Sequence, residues 1–260
     1  IANPIIKAVS LTGSEQAGIA VATEAGKHLK KCVLELGGSN AFIVLEDANL
    51  EKAVATAVKA RMQNAGQSCI AAKRFLVHEK IVDEFVAKFK VAIQNLKTGN
   101  PLDKETQIGS LARVDLAEEL ELQVQKSIQM GAKLIVGGNG KDAFYEPTIL
   151  TNVTTEMPVF KEETFGPVAA IITFKTIEEA IKLSNQSEFG LGVSIFTQDI
   201  DFIKTKISAF NEGAVFINDM VKSDPRLPFG GIKKSGYGRE LAEDGIKEFV
   251  NVKTVVINTF

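Results

Sequence analysis

One cysteine of the chain lies where its thiol can serve as a nucleophile. Cys69 follows the stretch Asn-Ala-Gly-Gln-Ser at residues 64–68, where a glycine and small side chains let a ligand approach the backbone closely. A thiolate is a strong nucleophile near neutral pH, and its attack on an aldehyde carbonyl gives a hemithioacetal from which hydride can leave. The alternative is a buried and inert cysteine. We expect Cys69 to be alkylated faster than Cys32, which lies in an apolar run and is assigned to the core.

A glutamate interrupts that same apolar run. Glu35 stands between Leu34 and Leu36, directly before Gly37 and Gly38. A carboxylate at the end of a buried strand is expected to have a raised pKa, which suits a general base that activates water. The alternative is a glutamate on an edge strand that faces solvent.

Two glycine-containing segments are candidates for a cofactor site. Gly13, Ser14 and Gly18 bound a turn between a predicted strand and a predicted helix, where free N–H groups and the helix dipole favour a phosphate. Their spacing differs from the Gly-x-Gly-x-x-Gly fingerprint, so an ordinary turn stays open. The run Glu-Glu-Thr-Phe-Gly-Pro at residues 162–167 combines acids, an aromatic ring and a rigid turn, which could hold a ribose and a nicotinamide ring. It could equally be a plain loop.

The elements that must position these residues follow an alternating order. Apolar periodicity predicts strands over residues 5–11, 32–36, 42–45, 74–78, 168–174, 192–196, 214–217 and 252–257. It predicts helices over residues 15–30, 49–65, 82–96, 114–130, 177–183, 202–210 and 239–249. Thr12 and Glu15 have capping-box spacing, which favours a helix start there. The alternation predicts an α/β domain with a largely parallel sheet.

Composition excludes several classes of partner. The 260 residues include 30 basic and 32 acidic ones, for a formal charge of −2, so we expect neither nucleic acid nor an anionic membrane surface as a partner. No apolar run approaches the roughly 20 residues that a membrane span needs. His28, His78 and the two cysteines lack metal-ligand spacing, so no metal site is predicted. Two cysteines in unlike surroundings favour a reducing compartment, and we expect a cytoplasmic location.

Four ordered motifs resemble those of the aldehyde dehydrogenase superfamily across essentially the whole chain. They are Leu-Glu-Leu-Gly-Gly at 34–38, Gly-Gln-Ser-Cys at 66–69, Glu-Glu-Thr-Phe-Gly-Pro at 162–167, and Pro-Phe-Gly-Gly with Lys-Ser-Gly-Tyr-Gly-Arg-Glu at 228–231 and 234–240. The resemblance implies oxidation of an aldehyde to an acid with NAD or NADP. It implies Cys69 as nucleophile and Glu35 as general base. The residues that it implies for the cofactor are Gly13, Ser14, Leu36, Gly37, Glu163 on the ribose and Phe165 beside the nicotinamide.

Within that family, residues 67–74 and 221–226 look most like those of succinate-semialdehyde dehydrogenases. A hydroxyl and a guanidinium in one loop can pair with a carboxylate, so Ser223 and Arg226 are predicted to recognise the substrate carboxylate. The alternative for Arg226 is a solvated loop arginine. Ile70, Ala71 and Ala72 provide no second cysteine close to Cys69, so no redox switch is expected there.

The resemblance also implies an architecture. The chain begins at Ile1 without an initiator methionine and has about half the family's length, so we expect a fragment that alone oxidises aldehydes poorly. The implied parts are a remnant of a Rossmann-like dinucleotide-binding domain at 1–37, an aldehyde dehydrogenase-like catalytic domain at 38–250, and an oligomerisation strand at 251–260 that would make a homo-oligomer. An acylating dehydrogenase is disfavoured by Glu35, which suits hydrolysis. A truncated, non-catalytic assembly or interaction module is the alternative from another class.

Overall fold

The computed structural model of the chain describes residues 1–259. Its strands in chain order are β1 (Ala8–Thr12), β2 (Lys31–Glu35), β3 (Asn40–Val44), β4 (Ala72–His78), β5 (Lys133–Val136), β6 (Gly140–Lys141), β7 (Phe144–Tyr145), β8 (Thr148–Thr151), β9 (Val168–Phe174), β10 (Phe189–Gly190), β11 (Val193–Phe196), β12 (Val215–Ile217), β13 (Ile232–Lys233) and β14 (Gly236–Tyr237). Its helices are α1 (Glu15–Lys27), α2 (Leu50–Met62), α3 (Val82–Gln94), α4 (Val114–Gln129), α5 (Pro158–Lys161), α6 (Ile177–Asn185), α7 (Ile200–Lys204) and α8 (Ala242–Lys247).

Most of the chain is built around one large sheet. Within residues 1–259 this sheet has seven strands in the order β12-β11-β3-β4-β9-β8-β5. All neighbours in it are parallel except the edge pair β5 and β8. Every residue of β3 and of β4 is buried, as expected for a parallel sheet that is covered on both faces. The predicted α/β class and largely parallel sheet are confirmed.

Aromatic packing marks the centre of the large sheet. Phe42 on β3 stacks on Phe196 of β11 at a centroid distance of 4.7 Å and lies 5.2 Å from Phe75 of β4. Phe75 in turn lies 5.3 Å from Phe89 of α3. Three of these rings are fully buried and the fourth, Phe196, nearly so, and aromatic rings bury more apolar area per residue than aliphatic side chains do. This cluster therefore ties three neighbouring strands to the helix layer.

A small sheet contains the predicted cofactor turn. Strands β1 and β2 pair in parallel, and β14 adds to β2 in the antiparallel direction. Helix α1 packs on this sheet at Gly18, where an added Cβ would lie 2.5 Å from a methyl group of Leu36. Because β14 comes from residues 236–237, a late segment of the chain completes the sheet of the first 37 residues. The division at residue 37 stays a prediction.

Several predicted element ends are wrong. The capping residue of α1 is Ser14 and not Thr12, since the Ser14 hydroxyl accepts from the Ala17 N–H at 3.3 Å. The helix predicted over 202–210 is the short α7 followed by a 3₁₀ turn at Ile207–Ala209, and the one predicted over 239–249 is reduced to α8. No strand forms in residues 251–259, the described part of the predicted oligomerisation strand, and its Phe260 lies outside the described residues. A strand needs a hydrogen-bonded neighbour, and this exposed tail has none within the described part of the single chain, so its role as an oligomerisation strand stays a prediction.

The structure adds two findings on partners. No helix in residues 1–259 is long and apolar enough to cross a membrane. Among the described residues, no group of three or more His, Cys, Asp or Glu side chains is placed to hold a metal ion.

Candidate active site

A tight left-handed turn presents Cys69. Helix α2 ends at Met62, and the residues after it adopt positive φ angles: 53° at Asn64, 52° at Ala65 and 75° at Gly66. This region disfavours residues with a Cβ, and an alanine there costs on the order of 1 kcal/mol. Gly66 also has no room for a side chain, because a Cβ would lie 2.3 Å from the Gly166 carbonyl oxygen. The turn reverses the chain so that Cys69 follows in a loop before β4, as predicted.

The two cysteines lie in different surroundings. Cys69 is partly exposed, whereas Cys32 is buried in β2 with 9% of its surface accessible. Burial raises the pKa of the Cys69 thiol, and the carboxylates of Glu163 and Glu35 add to this rise. The Lys73 ammonium group and the Ile70 backbone N–H oppose it by favouring the thiolate. The reactivity of this thiol therefore depends on the charges around it.

Glu35 is a buried and unpaired carboxylate. It ends β2 with 4% of its surface exposed, and neither carboxylate oxygen has a hydrogen-bond partner within the described part of the chain. Burial raises its pKa to about 8, the charge of Glu240 adds to the rise, and Arg239 opposes it. Glu35 is therefore a buried strand-end glutamate and does not face solvent, and its role as general base stays a prediction. Such a group is protonated at neutral pH and can accept a proton from water when it ionises.

Backbone pairing fixes the position of Glu35. Its carbonyl oxygen accepts from the Gly13 N–H at 3.0 Å, and in the sheet Glu35 lies opposite Thr12 on one side and Gly236 on the other. Gly230 leaves space for the carboxylate, since a Cβ at that position would lie 2.9 Å from Glu35 Oε1. The glycine-rich segment near residue 230 therefore has the physical role of making room beside the base.

Glu163 bridges the loop 162–167 and the Gly37-Gly38 turn. Its Oε1 atom accepts from the Gly38 N–H at 2.9 Å and lies 3.3 Å from Lys73 Nζ. A Cβ at Gly37 would lie 2.3 Å from Glu163 Oε2, and a Cβ at Gly38 would lie 2.6 Å from the Cys69 carbonyl oxygen. The glycines thus permit the close approach of three motifs that are distant in sequence. The structure brings Cys69, Glu35 and Glu163 into one site.

The other predicted cofactor residues lie along the small sheet and its border with the large one. Gly13 and Ser14 are exposed at the start of α1, and Ser14 is its N-cap. Leu36 and Gly37 are buried between β2 and β3. The Phe165 ring is 37% exposed beside Glu163 in the loop before β9. An exposed helix N-terminus and an accessible aromatic ring are compatible with a dinucleotide.

The two residues predicted to bind the substrate carboxylate make no hydrogen bond with this site in the described part of the chain. Ser223 and Arg226 are both exposed, and the Arg226 side chain has 85% of its surface accessible. The Arg226 guanidinium donates two hydrogen bonds to the Asp224 carboxylate, at 2.9 and 2.6 Å. Asp224 therefore occupies the fork that was predicted to meet a substrate carboxylate, and the role of Arg226 stays a prediction.

Sequence reasoning missed the polar residues under the Cys69 loop. Arg61 and Lys73 are both fully buried, and Asn40 is 2% exposed. Arg61 donates to the Gly66 carbonyl, Lys73 to those of Ser68 and Cys69, and Asn40 to that of Ile70. The available signal was the pair of basic residues Lys73 and Arg74 at the start of a buried strand, since a charged side chain is seldom buried unless it is paired.

Comparison with known proteins agrees with this geometry. The family model described as "Aldehyde dehydrogenase family" matches residues 1–255, and the chain belongs to this family. It is similar to the succinate semialdehyde dehydrogenase (NAD(P)+) Sad of Escherichia coli strain K12, with 51% identity over 253 residues, which is 96% of this chain and 55% of that protein. It is also similar to the succinate-semialdehyde dehydrogenase (NADP(+)) of Mycobacterium leprae strain TN, with 48% identity over 98% of this chain and 56% of that protein.

A solved structure gives the same result for the fold. The succinic semialdehyde dehydrogenase of Streptococcus pyogenes in complex with NADP+ superposes with a TM-score of 0.95 at 40% identity, covering 99% of this chain and 57% of that chain. The chain thus spans about half the length of the relatives that it matches. The predicted family and fold are confirmed.

Proposed function

We propose that this chain carries the catalytic residues of an NAD(P)-dependent dehydrogenase that oxidises succinate semialdehyde to the acid. The observation that carries the proposal is the pairing of a partly exposed thiol, Cys69, with a buried and unpaired carboxylate, Glu35, whose pKa is raised to about 8. A nucleophile beside a carboxylate of raised pKa is suited to acyl transfer to water.

The chemistry that these two residues support has two stages. In the first, the Cys69 thiolate adds to the aldehyde carbon, and the resulting hemithioacetal loses hydride to become a thioester on Sγ. In the second, Glu35 accepts a proton from water, the hydroxide adds to the thioester carbon, and the C–S bond breaks to release the acid and the thiolate. The apolar burial of Glu35 keeps its basicity high enough for this proton transfer.

NAD or NADP is the proposed cofactor, and when bound its nicotinamide supplies the hydride acceptor. The names of the relatives from E. coli and M. leprae include NAD(P)+ and NADP(+) respectively. Gly13 and Ser14 stand at the start of the thirteen-residue helix α1, where a phosphate would bind, and Gly37 lies directly against the Glu163 carboxylate, which would bind the ribose. Leu36 and Phe165 complete the proposed set beside them.

The substrate, assembly and location are parts of the same proposal. Succinate semialdehyde is supported by the relatives' names, and Ser223 with Arg226 would recognise its free carboxylate. A homo-oligomer is supported by the exposed apolar tail, in which Val252 is 96% and Ile257 is 82% accessible. Two cysteines that form no disulfide fit a cytoplasmic location.

The test is NAD(P)H formation from succinate semialdehyde by the protein extended to the length of its relatives. Cys69→Ala should lower turnover by at least about 10³-fold, because the covalent step loses its nucleophile. Cys32→Ala is the matched control and should keep most of the turnover, because Cys32 packs in β2. Equal turnover by Cys69→Ala and the parent would contradict the proposal. An extended protein that assembles but oxidises no aldehyde would favour the non-catalytic module.

A further inference from the structure

The loop that carries Cys69 is held by side chains at each of its carbonyl groups. From Gly66 to Ile70, the carbonyl oxygens accept from Arg61, Asn64, Lys73 (two carbonyls) and Asn40 in turn. Lys73 contributes the central contacts, at 3.0 Å to the Ser68 oxygen and 3.0 Å to the Cys69 oxygen. A reacting group held in this way is positioned before the substrate arrives.

An irregularity of the sheet presents Lys73 to this loop. In the pairing of β3 with β4, Asn40 lies opposite Ala72 and the next residue, Ala41, lies opposite Arg74. Lys73 is the extra residue between these two pairs, which makes it the bulged residue of β4. Bulges re-aim a side chain out of the regular alternation of a strand. A lysine that is fully buried thereby reaches the loop that precedes its own strand.

The charges that face Lys73 come from three different elements. Glu163, from the loop before β9, lies 3.3 Å from its ammonium group. Arg61 of α2 repels it, and the Cys69 thiolate attracts it. Burial lowers the pKa of Lys73 to about 8 in spite of Glu163, so the lysine is charged at neutral pH and loses its charge in mildly alkaline solution. Glu163 and Glu35 are the carboxylates that oppose the thiolate of Cys69.

We propose that Lys73 is a positioning residue for the nucleophile, whose ammonium group holds the Cys69 loop and links it to Glu163. The role rests on Cys69 being the nucleophile of the proposed function. Its consequence is that the reactivity of Cys69 depends on the charge at residue 73. Glu163 acts on the same thiol in two ways: its carboxylate repels the thiolate directly, and its ion pair with Lys73 raises the lysine pKa and so keeps the ammonium group charged.

The test is the rate of iodoacetamide alkylation of Cys69 in the 260-residue chain, measured by mass spectrometry between about pH 6.5 and 9.5. Lys73→Met should slow alkylation about tenfold at pH 7, since loss of the cation raises the thiol pKa by about one unit. The two rates should converge above about pH 9, where Lys73 of the parent chain is neutral. A purely structural role would change the rate equally at every pH.

Control variants keep the test decisive. Lys133→Met removes an exposed lysine of β5 and should leave the alkylation profile unchanged. Lys73→Gln keeps a donor for the loop carbonyls without the charge, and it should also slow alkylation at pH 7. Unchanged or faster labelling of either folded Lys73 variant would overturn the proposal. Failure of both to fold would also overturn it, because Lys73 would then support the fold and not the thiol in particular. Alkylation needs no aldehyde, so this result is independent of the proposed activity.

Discussion

The large sheet and the small sheet differ in how completely they are packed. Each residue of β4, at the centre of the large sheet, is buried, whereas no residue of β1, at the edge of the small sheet, is buried. An aromatic cluster ties the large sheet to its helices. The small sheet has a core cluster of only four buried residues in the described part of the chain, namely Ala25, Cys32, Leu34 and Leu36.

The candidate site takes residues from both regions. Lys73 lies in β4 of the large sheet and Cys69 in the loop just before that strand, while Glu35 ends a strand of the small sheet. The two regions are joined near residue 37, where the Ser235 hydroxyl donates to the Gly37 carbonyl at 2.7 Å and the Leu36 N–H donates to the Ser235 carbonyl at 3.0 Å. The nucleophile therefore has a rigid support, and the position of the base depends on a few hydrogen bonds across this junction. The comparison separates residues that stabilise the fold from residues that align the site.

The largest expected effect is a difference in the stability that is lost when a core side chain is truncated in the large sheet or in the small sheet. Phe75→Ala should lower the free energy of unfolding by about 3–5 kcal/mol, because it leaves a cavity in the aromatic cluster. Leu34→Ala in the small sheet should cost about 2 kcal/mol, since its less packed surroundings can relax into the space. Urea unfolding of both variants measures the difference. Equal losses would show that the small sheet is packed as tightly as the large one.

The next effect concerns the base. In the extended protein, Glu35→Gln should lower turnover by about 10²-fold or more, because amide oxygen does not accept the proton from water. Where water attack limits the rate, parent turnover should rise with pH through about 8, as Glu35 ionises, and the variant should lack this rise. Steady-state rates from pH 6 to 9 test it. The same pH profile in both proteins would exclude Glu35 as the base.

The raised pKa of Glu35 also determines whether the protein gains or loses stability as pH rises. The folded-state pKa of about 8 lies above the ordinary glutamate value of 4.5, so between these two pH values the folded chain retains a proton that the unfolded chain releases. The stability contributed by Glu35 is present in full below about pH 4.5 and is lost as pH rises to about 8. Glu35→Gln should therefore be more stable than the parent above pH 8, and the difference should shrink towards pH 5.

The smallest effect tests the exposed arginine. Arg226→Ala in the extended protein should raise the KM for succinate semialdehyde about tenfold and leave the KM for an uncharged aldehyde nearly unchanged, since a charge-assisted hydrogen bond is worth about 1.5–3 kcal/mol. Arg113→Ala is the matched control, because Arg113 is exposed and makes the same paired hydrogen bonds to Asp115 two residues on. Equal effects on both aldehydes would leave Arg226 as a loop arginine paired with Asp224.

The sequence predicted some elements of the fold and of the site better than others. The long and mostly apolar strand β9 was predicted with its observed bounds, because burial on both faces leaves a nearly continuous apolar run. The short β14 and the antiparallel edge strand β5 were missed, since two to four residues carry little periodicity and their pairing depends on distant neighbours. Cys69 and Glu35 stood out as chemical anomalies in their segments. The contact of Lys73 with the Cys69 loop was missed, because the bulge that directs this side chain depends on the pairing of two strands and has no local signature.

The close approach at Gly66 has a consequence for how this sequence can change over generations. Any side chain at position 66 would strike both the Gly166 carbonyl and the guanidinium of Arg61, so the loop of the nucleophile and the loop of Glu163 share one packed contact. A substitution that shifts the backbone of one loop therefore requires a compensating substitution in the other. We therefore expect correlated substitutions in these two motifs, although a long stretch of chain separates them.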